Sequence, residues 1–383
     1  MPSSAIVRAP PIAVVLPPRE SFSPAAAGAI ALMVERLHAR TGAFAPVVLG
    51  MPPPDPPFAG IAFEPVRPAF RPMAFGARYA TGVLRALRGL DPALIEVHNR
   101  PDLARFLAGK FAERPVVLFL HNDPQGMPAC RTPAARADLL ARLGGVAVVS
   151  AFLRQRFLEG ITSRAASPVA VIPNALDLTR LPPPAPFEAR AREILFAGRV
   201  VADKGADQFV AACARALPQL PGWQARMIGA DRFGSDSPET PFLARLRPLA
   251  AAGGVRMEGY QPHTAVLATM ARAAIVVVPS RWAEPFGLSA LEAMASGAAL
   301  ITTRRGALAD IAADAALYAD PEDSAALAAA IVSLATDEPR REALARAGKR
   351  RAQDFALPSI AVQLDGFRAE CLRGATENYG VSR

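Results

Sequence analysis

Cysteine is scarce in this 383-residue chain: Cys130, Cys213 and Cys371 stand far apart and form no C-x-x-C pair. That spacing argues against a zinc ribbon or a disulfide framework and fits a reducing compartment in which isolated thiols are structural. Histidine is also sparse, with four dispersed residues, and no Asp-x-Asp of the sort that holds a divalent ion occurs. Aromatics make up only 7%, and the basic residues are scattered without zinc-finger, helix-turn-helix or RNP-like interleaving, so nucleic acid is not an expected partner. No G-x-G-x-x-G follows a candidate first strand, which disfavours an NAD-dependent oxidoreductase. Long apolar runs are missing as well. Met1 to Pro11 lacks a basic n-region with a long apolar core, Ile12 to Leu16 is too short for a span, and charges such as Arg272 interrupt later runs. The expectation is a soluble cytoplasmic protein.

What the chain does hold is apolar sequence in regular order. Its length exceeds what one core usually serves, and a hydrophobic content of 51% is ample for two. Short apolar runs alternate with helix-like segments, the pattern of parallel sheets covered by helices on both faces. Expected strands of a first doubly wound domain are Ile12 to Leu16, Val47 to Leu49, Leu94 to Val97, Val116 to Leu120, Val146 to Val149 and Val169 to Ile172. Helices are expected near residues 28–40, 76–89, 102–111, 133–143 and 151–159. The run Leu181-Pro182-Pro183-Pro184-Ala185-Pro186 then breaks the pattern, because consecutive prolines favour extended chain and cannot enter a sheet interior. It is the expected linker. A second series follows at Glu193 to Ala197, Ala225 to Ile228, Val255 to Met257, Ala274 to Val278, Ala299 to Thr302 and Ala316 to Tyr318. The expected domains are 1–180 and 181–355, with a last helix in 356–383. The proline cluster Met51 to Pro57 and residues 231–241 read as surface loops.

Of the net charge of +9, residues 1–180 carry an excess of +8, from 20 Lys+Arg against 12 Asp+Glu. A basic first half could attract an anionic acceptor or a lipid surface; the other reading is a solvated arginine-rich face. Lysine itself occurs only at Lys110, Lys204 and Lys349.

Ligands of open parallel sheets bind outside the carboxyl ends of the strands, so chemistry is sought in the segments that follow them. Residues 279–297, Pro-Ser-Arg-Trp-Ala-Glu-Pro-Phe-Gly-Leu-Ser-Ala-Leu-Glu-Ala-Met-Ala-Ser-Gly, follow one strand with a turn and then a helical composition. Pro285-Phe286-Gly287 lets backbone N–H groups approach a ligand, and the positive end of the helix from Leu288 would face an anion. Glu284 precedes the turn and Glu292 lies two helical turns later. Arg199 and Lys204 flank a turn after another strand, where a guanidinium fork and an ammonium could neutralise a diphosphate or simply be solvated.

This E-x7-E segment resembles the retaining glycosyltransferases of family four, which have the α/β GT-B fold of two Rossmann-like domains, doubly wound around parallel sheets and facing a cleft. Other pieces occur in that family's order: Val171-Ile172-Pro173-Asn174-Ala175-Leu176-Asp177, Phe196-Ala197-Gly198-Arg199, Asp203-Lys204-Gly205, Gly259-Tyr260, and Gly297 to Thr303 followed by Gly306. The resemblance covers residues 90–330. Glu96-Val97-His98-Asn99-Arg100-Pro101 and Phe119-Leu120-His121-Asn122-Asp123-Pro124 are similar to a bacterial branch that includes spore-coat and polysaccharide-assembly members.

The resemblance implies a nucleotide diphosphate sugar as donor substrate, no cofactor or metal, and a glycan, lipid-linked or surface-polymer acceptor. It assigns Glu284 to sugar hydroxyls, Glu292 to ribose, and Arg199 and Lys204 to the leaving diphosphate. Phe286, Gly287 and Leu288 would act through backbone N–H groups, Tyr260 near the base, and His121 on the donor sugar. A core or rim histidine is the other reading of His121. His98, Asn99 and Arg100 could contact acceptor, Trp282 is expected in packing and His263 in capping a helix. The last helix, around Leu357 to Leu372, is expected to cross back to the first domain, and the basic half allows peripheral contact with the inner membrane face. One departure is plain: where relatives place a double glycine after the first strand, this chain has Pro17 to Pro24, with Gly28 the nearest glycine. Two other readings remain open. One is a GT-B epimerase or phosphorylase, the latter needing a cofactor lysine in a chain with three; the other is a noncatalytic glycan-binding or coat-assembly protein.

Overall fold

In the computed structural model, the described residues are 9–40, 42–70, 74–162, 167–232 and 236–379. Met1 to Arg8, from which the lack of a leader is partly read, and residues 233–235 of the expected loop 231–241 lie outside them. The chain divides into two compact units, one of residues 1–175 with 357–383, the other of residues 176–356.

The first unit is built on seven parallel strands: β1 (Pro11–Val15), β2 (Ala45–Gly50), β3 (Ala62–Pro65), β4 (Leu94–His98), β5 (Val116–Leu120), β6 (Gly145–Val148) and β7 (Val169–Val171). Their spatial order is β3-β2-β1-β4-β5-β6-β7. Among the described residues five helices connect them, α1 (Ala29–His38), α2 (Phe75–Leu90), α3 (Pro101–Ala108), α4 (Pro133–Arg142) and α5 (Ala151–Leu158). Strands β4, β5 and β6 are buried along their whole length, as strands covered by helices on both faces must be. The unforeseen strand is β3. Its four residues alternate in exposure on the sheet's edge, where Pro65 leaves no interior ladder position without a donor.

The second unit carries six parallel strands, β8 (Ala191–Ala197), β9 (Gln224–Ile228), β10 (Val255–Met257), β11 (Ala273–Val278), β12 (Ala299–Thr302) and β13 (Ala316–Tyr318), in the order β10-β9-β8-β11-β12-β13. Its helices are α6 (Ala206–Ala216), α7 (Pro241–Ala252), α8 (His263–Met270), α9 (Leu288–Ala295), α10 (Leu308–Ala312), α11 (Ser324–Thr336) and α12 (Glu338–Ala352). Phe196, Phe209, Met227, Ile275, Ile301 and Ile331 lie in its core. The passage between the units falls at Ala175–Leu176. The proline run Leu181 to Pro186 lies within the second unit, and the Ala185 N–H donates to the Ala271 carbonyl at 2.9 Å. The last helix, α13 (Leu357–Tyr379), belongs to the first unit. Among the described residues no helix is long and apolar enough to cross a membrane.

Candidate functional site

In the second unit the strand order reverses between β8 and β11, the kind of switch point at whose carboxyl ends open parallel sheets bind ligands. The loop after β8 runs through the 3-10 turn Ala202–Lys204 to Gly205, which takes a left-handed φ of 70° at the start of α6. A Cβ at Gly205 would overlap the Pro279 carbonyl, so glycine there allows the two loops to touch. They are also knitted by hydrogen bonds. The N–H groups of Arg281 and Trp282 donate to the Asp203 carbonyl at 2.9 and 3.0 Å, and the Arg281 guanidinium spans Asp207, Glu322 and the Ala202 carbonyl.

This clasp brings Lys204 and Glu284 together: Nζ donates to Oε1 at 2.5 Å, with Glu284 buried and Lys204 partly exposed. Ser280 Oγ lies 2.7 Å from the same carboxylate oxygen and near the carbonyls of Asp203 and Trp282. Its single proton goes best to the carboxylate, the shortest and charge-assisted choice. The ammonium also lies 5.0 Å from the centroid of the Trp282 ring. Trp282 is 43% exposed, so the packing expected of it is corrected: it is a rim aromatic against a cation.

The bend that follows is fixed from behind. Glu284 pairs with Gly306 in an isolated parallel bridge, and the Ala307 N–H donates to the Glu284 carbonyl at 2.8 Å. Gly287, with φ 101°, is the N-cap of α9, and Leu288 is its first residue. The N–H groups of Phe286, Gly287, Leu288 and Ser289 have no protein acceptor among the described residues, which leaves the positive end of α9 with donors to offer. The Phe286 side chain faces the core and meets Phe355 edge-on at 5.8 Å. Glu292, buried on α9, lies 2.8 Å from His263 Nε2. The helix that His263 opens is capped by Pro262, so the histidine's contact is with Glu292 rather than a cap of its own making. Arg199 is partly buried and makes no ion pair or side-chain hydrogen bond among the described residues; Tyr260 is 39% exposed after β10. Among the described residues no cluster of three His, Cys, Asp or Glu could hold a metal.

His121 belongs to the first unit and to a different group. It follows β5, stacks on Phe119 and is partly buried, with Nε2 2.9 Å from His98 Nδ1. His98, at the end of β4, is completely buried, which removes it from direct acceptor contact and corrects that expectation. Its Nε2 lies 2.9 Å from Glu96, whose other oxygen accepts from Arg368 of α13 at 2.7 and 3.0 Å. Burial holds the His121 pKa well below the ordinary imidazole value. Glu96 is held well below the carboxylate range: burial would raise it, but the Arg368 charge beside it and the hydrogen bond from His98 outweigh that. Sequence reasoning missed Glu96, although Glu96 and His98 share one face of a strand at period two. It had no means of finding Arg368, which lies 272 residues away.

Two family models match the chain, glycosyl transferases group 1 over residues 180–351 and glycosyltransferase family 4 over residues 29–180. Glycogen synthase of Mycobacterium tuberculosis is 32% identical over 201 residues, 50% of this chain and 46% of that protein. The chain thus spans about half the length of curated relatives it matches. Among solved structures, sucrose-phosphate synthase from Thermosynechococcus elongatus superposes with a TM-score of 0.75 at 20% identity, over 95% of this chain and 99% of that one. Anabaena HepE in complex with UDP-glucose gives 0.72 at 19% identity, over 94% and 99%. These likenesses show the GT-B fold.

Proposed function

The chain belongs to glycosyltransferase family four, and we propose that it transfers a hexosyl group from a nucleotide diphosphate sugar to a hydroxyl of a glycan, lipid-linked or surface-polymer acceptor. The observation that carries this is the Lys204–Glu284 contact where the loops of β8 and β11 meet, beside the uncommitted N–H groups of α9. A departing diphosphate needs preorganised positive potential, normally the largest catalytic contribution, and Arg199, Lys204 and the α9 N–H groups provide it. Glu284 takes the sugar hydroxyls and Glu292 the ribose. His121 contacts the donor sugar, and Tyr260 lies near the base. The HepE complex with UDP-glucose supports a nucleotide-sugar donor.

Transfer retains the anomeric configuration. The bond from C1 to the diphosphate oxygen breaks as the acceptor oxygen bonds C1 on the same face, and the acceptor proton passes to the departing phosphate oxygen. No metal takes part. The reaction occurs in the cytoplasm, where the basic first half allows contact with an anionic membrane.

A thermal-shift screen with UDP, GDP, ADP and their sugars selects the donor. Product NMR with that donor, run in EDTA, then reads the anomeric configuration. Turnover with a retained anomer supports the reading; donor binding without hydrolysis or transfer would place the chain among noncatalytic glycan-binding proteins.

A further inference from the structure

The buried group beneath His121 forms a continuous chain: Arg368, Glu96, His98, His121. Glu96, His98 and Arg368 are each at most 1% exposed. Arg368 donates Nε–H and Nη2–H to Glu96 Oε2 and a third hydrogen bond to His38 Nε2 at 2.5 Å. Because Arg368 cannot accept, His38 presents Nε2 unprotonated and carries its proton on Nδ1, which lies 2.8 Å from the Val34 carbonyl. Glu96 is ionised against Arg368 and acts only as an acceptor. His98 must therefore hold a proton on Nε2, the atom 2.9 Å from Glu96 Oε1.

The other nitrogen of His98 decides what His121 does. Glu96 is already engaged with Arg368, which Asp365 approaches from its other side at 3.4 Å. Glu96, the one fully buried carboxylate of this group, is already matched by the Arg368 charge, so a second proton on the fully enclosed His98 would set a second cation against it, a costly state in a dry interior. With His98 neutral, Nδ1 is a lone pair and His121 Nε2 must donate to it across 2.9 Å. His121 Nδ1 is then unprotonated, and it has no hydrogen-bond partner among the described residues. The Asn99 side-chain carbonyl accepts the His121 backbone N–H at 3.1 Å and holds the loop in place.

We propose that Glu96 and His98, anchored by Arg368 of α13, are positioning residues that lock His121 in the Nε2–H tautomer, so that Nδ1 is offered as an acceptor to a sugar hydroxyl. The hydroxyl contact rests on the donor-sugar reading given above; the tautomer lock does not. A histidine free to choose its tautomer could offer either a donor or an acceptor, and the chain of groups removes that ambiguity.

The test is long-range 1H–15N correlation NMR on the full chain labelled with 15N at histidine, where only four residues contribute. The expected spectrum shows His98 and His121 neutral and protonated on Nε2, with His38 protonated on Nδ1. Glu96→Gln should invert two of them. Its amide oxygen stays with Arg368 and its NH2 turns to His98 Nε2, so His98 shifts its proton to Nδ1 and His121 becomes Nδ1–H. A wild-type spectrum with His121 protonated on Nδ1, or with His98 doubly protonated, overturns the proposal even if the variant fails to fold. With the donor in hand, kcat/KM of Glu96→Gln should fall about tenfold, the scale of one misdirected hydrogen bond. Inverted tautomers with unchanged kcat/KM would uphold the lock and sink the donor-sugar reading of His121.

Discussion

Adding one methyl group at Gly306 should disable the site from behind. Gly306 has φ 61° and faces Glu284 across the isolated bridge, and a Cβ there would overlap the Glu284 backbone N and O. These are backbone atoms with no flexible end to swing aside. Restoring an ordinary contact moves the Glu284 backbone by about 1 Å, given carbon contact distances of ~3.5–4 Å. Misplacement on that scale costs on the order of 10²-fold in rate. The left-handed backbone adds a stability cost of roughly 1–2 kcal/mol for alanine. Gly60 provides the control, since it has φ 85° and open space around the position of its missing Cβ. Gly60→Ala should therefore lose stability to a similar degree and keep its activity, whereas Gly306→Ala should lose more stability and about 100-fold in kcat/KM. Urea melts and a nucleotide-release assay with the screened donor read both. If Gly306→Ala matches Gly60→Ala in both measurements, Glu284 is not held where the account needs it.

Stability should fall as the pH drops from 7 toward 4. Burial holds the His38 pKa below its ordinary value and His121 lies well below it, so the unfolded chain takes up protons first, from about pH 6.5 downward. Glu96, depressed by Arg368, contributes in the same direction at lower pH: its stabilisation is complete above the unfolded carboxyl pKa and is lost as the pH falls through the folded one. Urea midpoints that stay flat between pH 7 and 5 would contradict this. The thiols should be inert in the native state, because burial pushes Cys130 and Cys371 up to about 12 and Cys213 higher still. A colorimetric disulfide reagent at pH 8 should label none of the three before denaturation and all three afterwards; rapid labelling of the folded protein would refute the packing of these residues.

The two sheets were legible because their strands are buried on both faces and read as short unbroken apolar runs, such as Val116 to Leu120 and Ala274 to Val278. Strand β3 was not, since Ala62-Phe63-Glu64-Pro65 lies on an edge and lacks that signal. The spacing of Glu284 and Glu292 located a turn and a helix N-terminus, but sequence could not show that Lys204, 80 residues earlier, pairs with Glu284. Topology does that, by placing β8 next to β11. Trp282 and His263 were misjudged for a related reason. Their roles depend on Lys204 and Glu292, partners set by tertiary packing and not by local pattern. The Glu96–Arg368 pair shows the limit most clearly, because α13 rejoins the first unit only after the whole second unit has been threaded.

Donor turnover by Lys204→Ala and Glu284→Ala tests most directly whether these two side chains meet the activated sugar. Each variant should melt cooperatively and lose roughly 10²–10³-fold in kcat, the scale of removing one preorganised group from a developing charge. Near-wild-type turnover in both would contradict the claim that these two side chains meet the activated sugar.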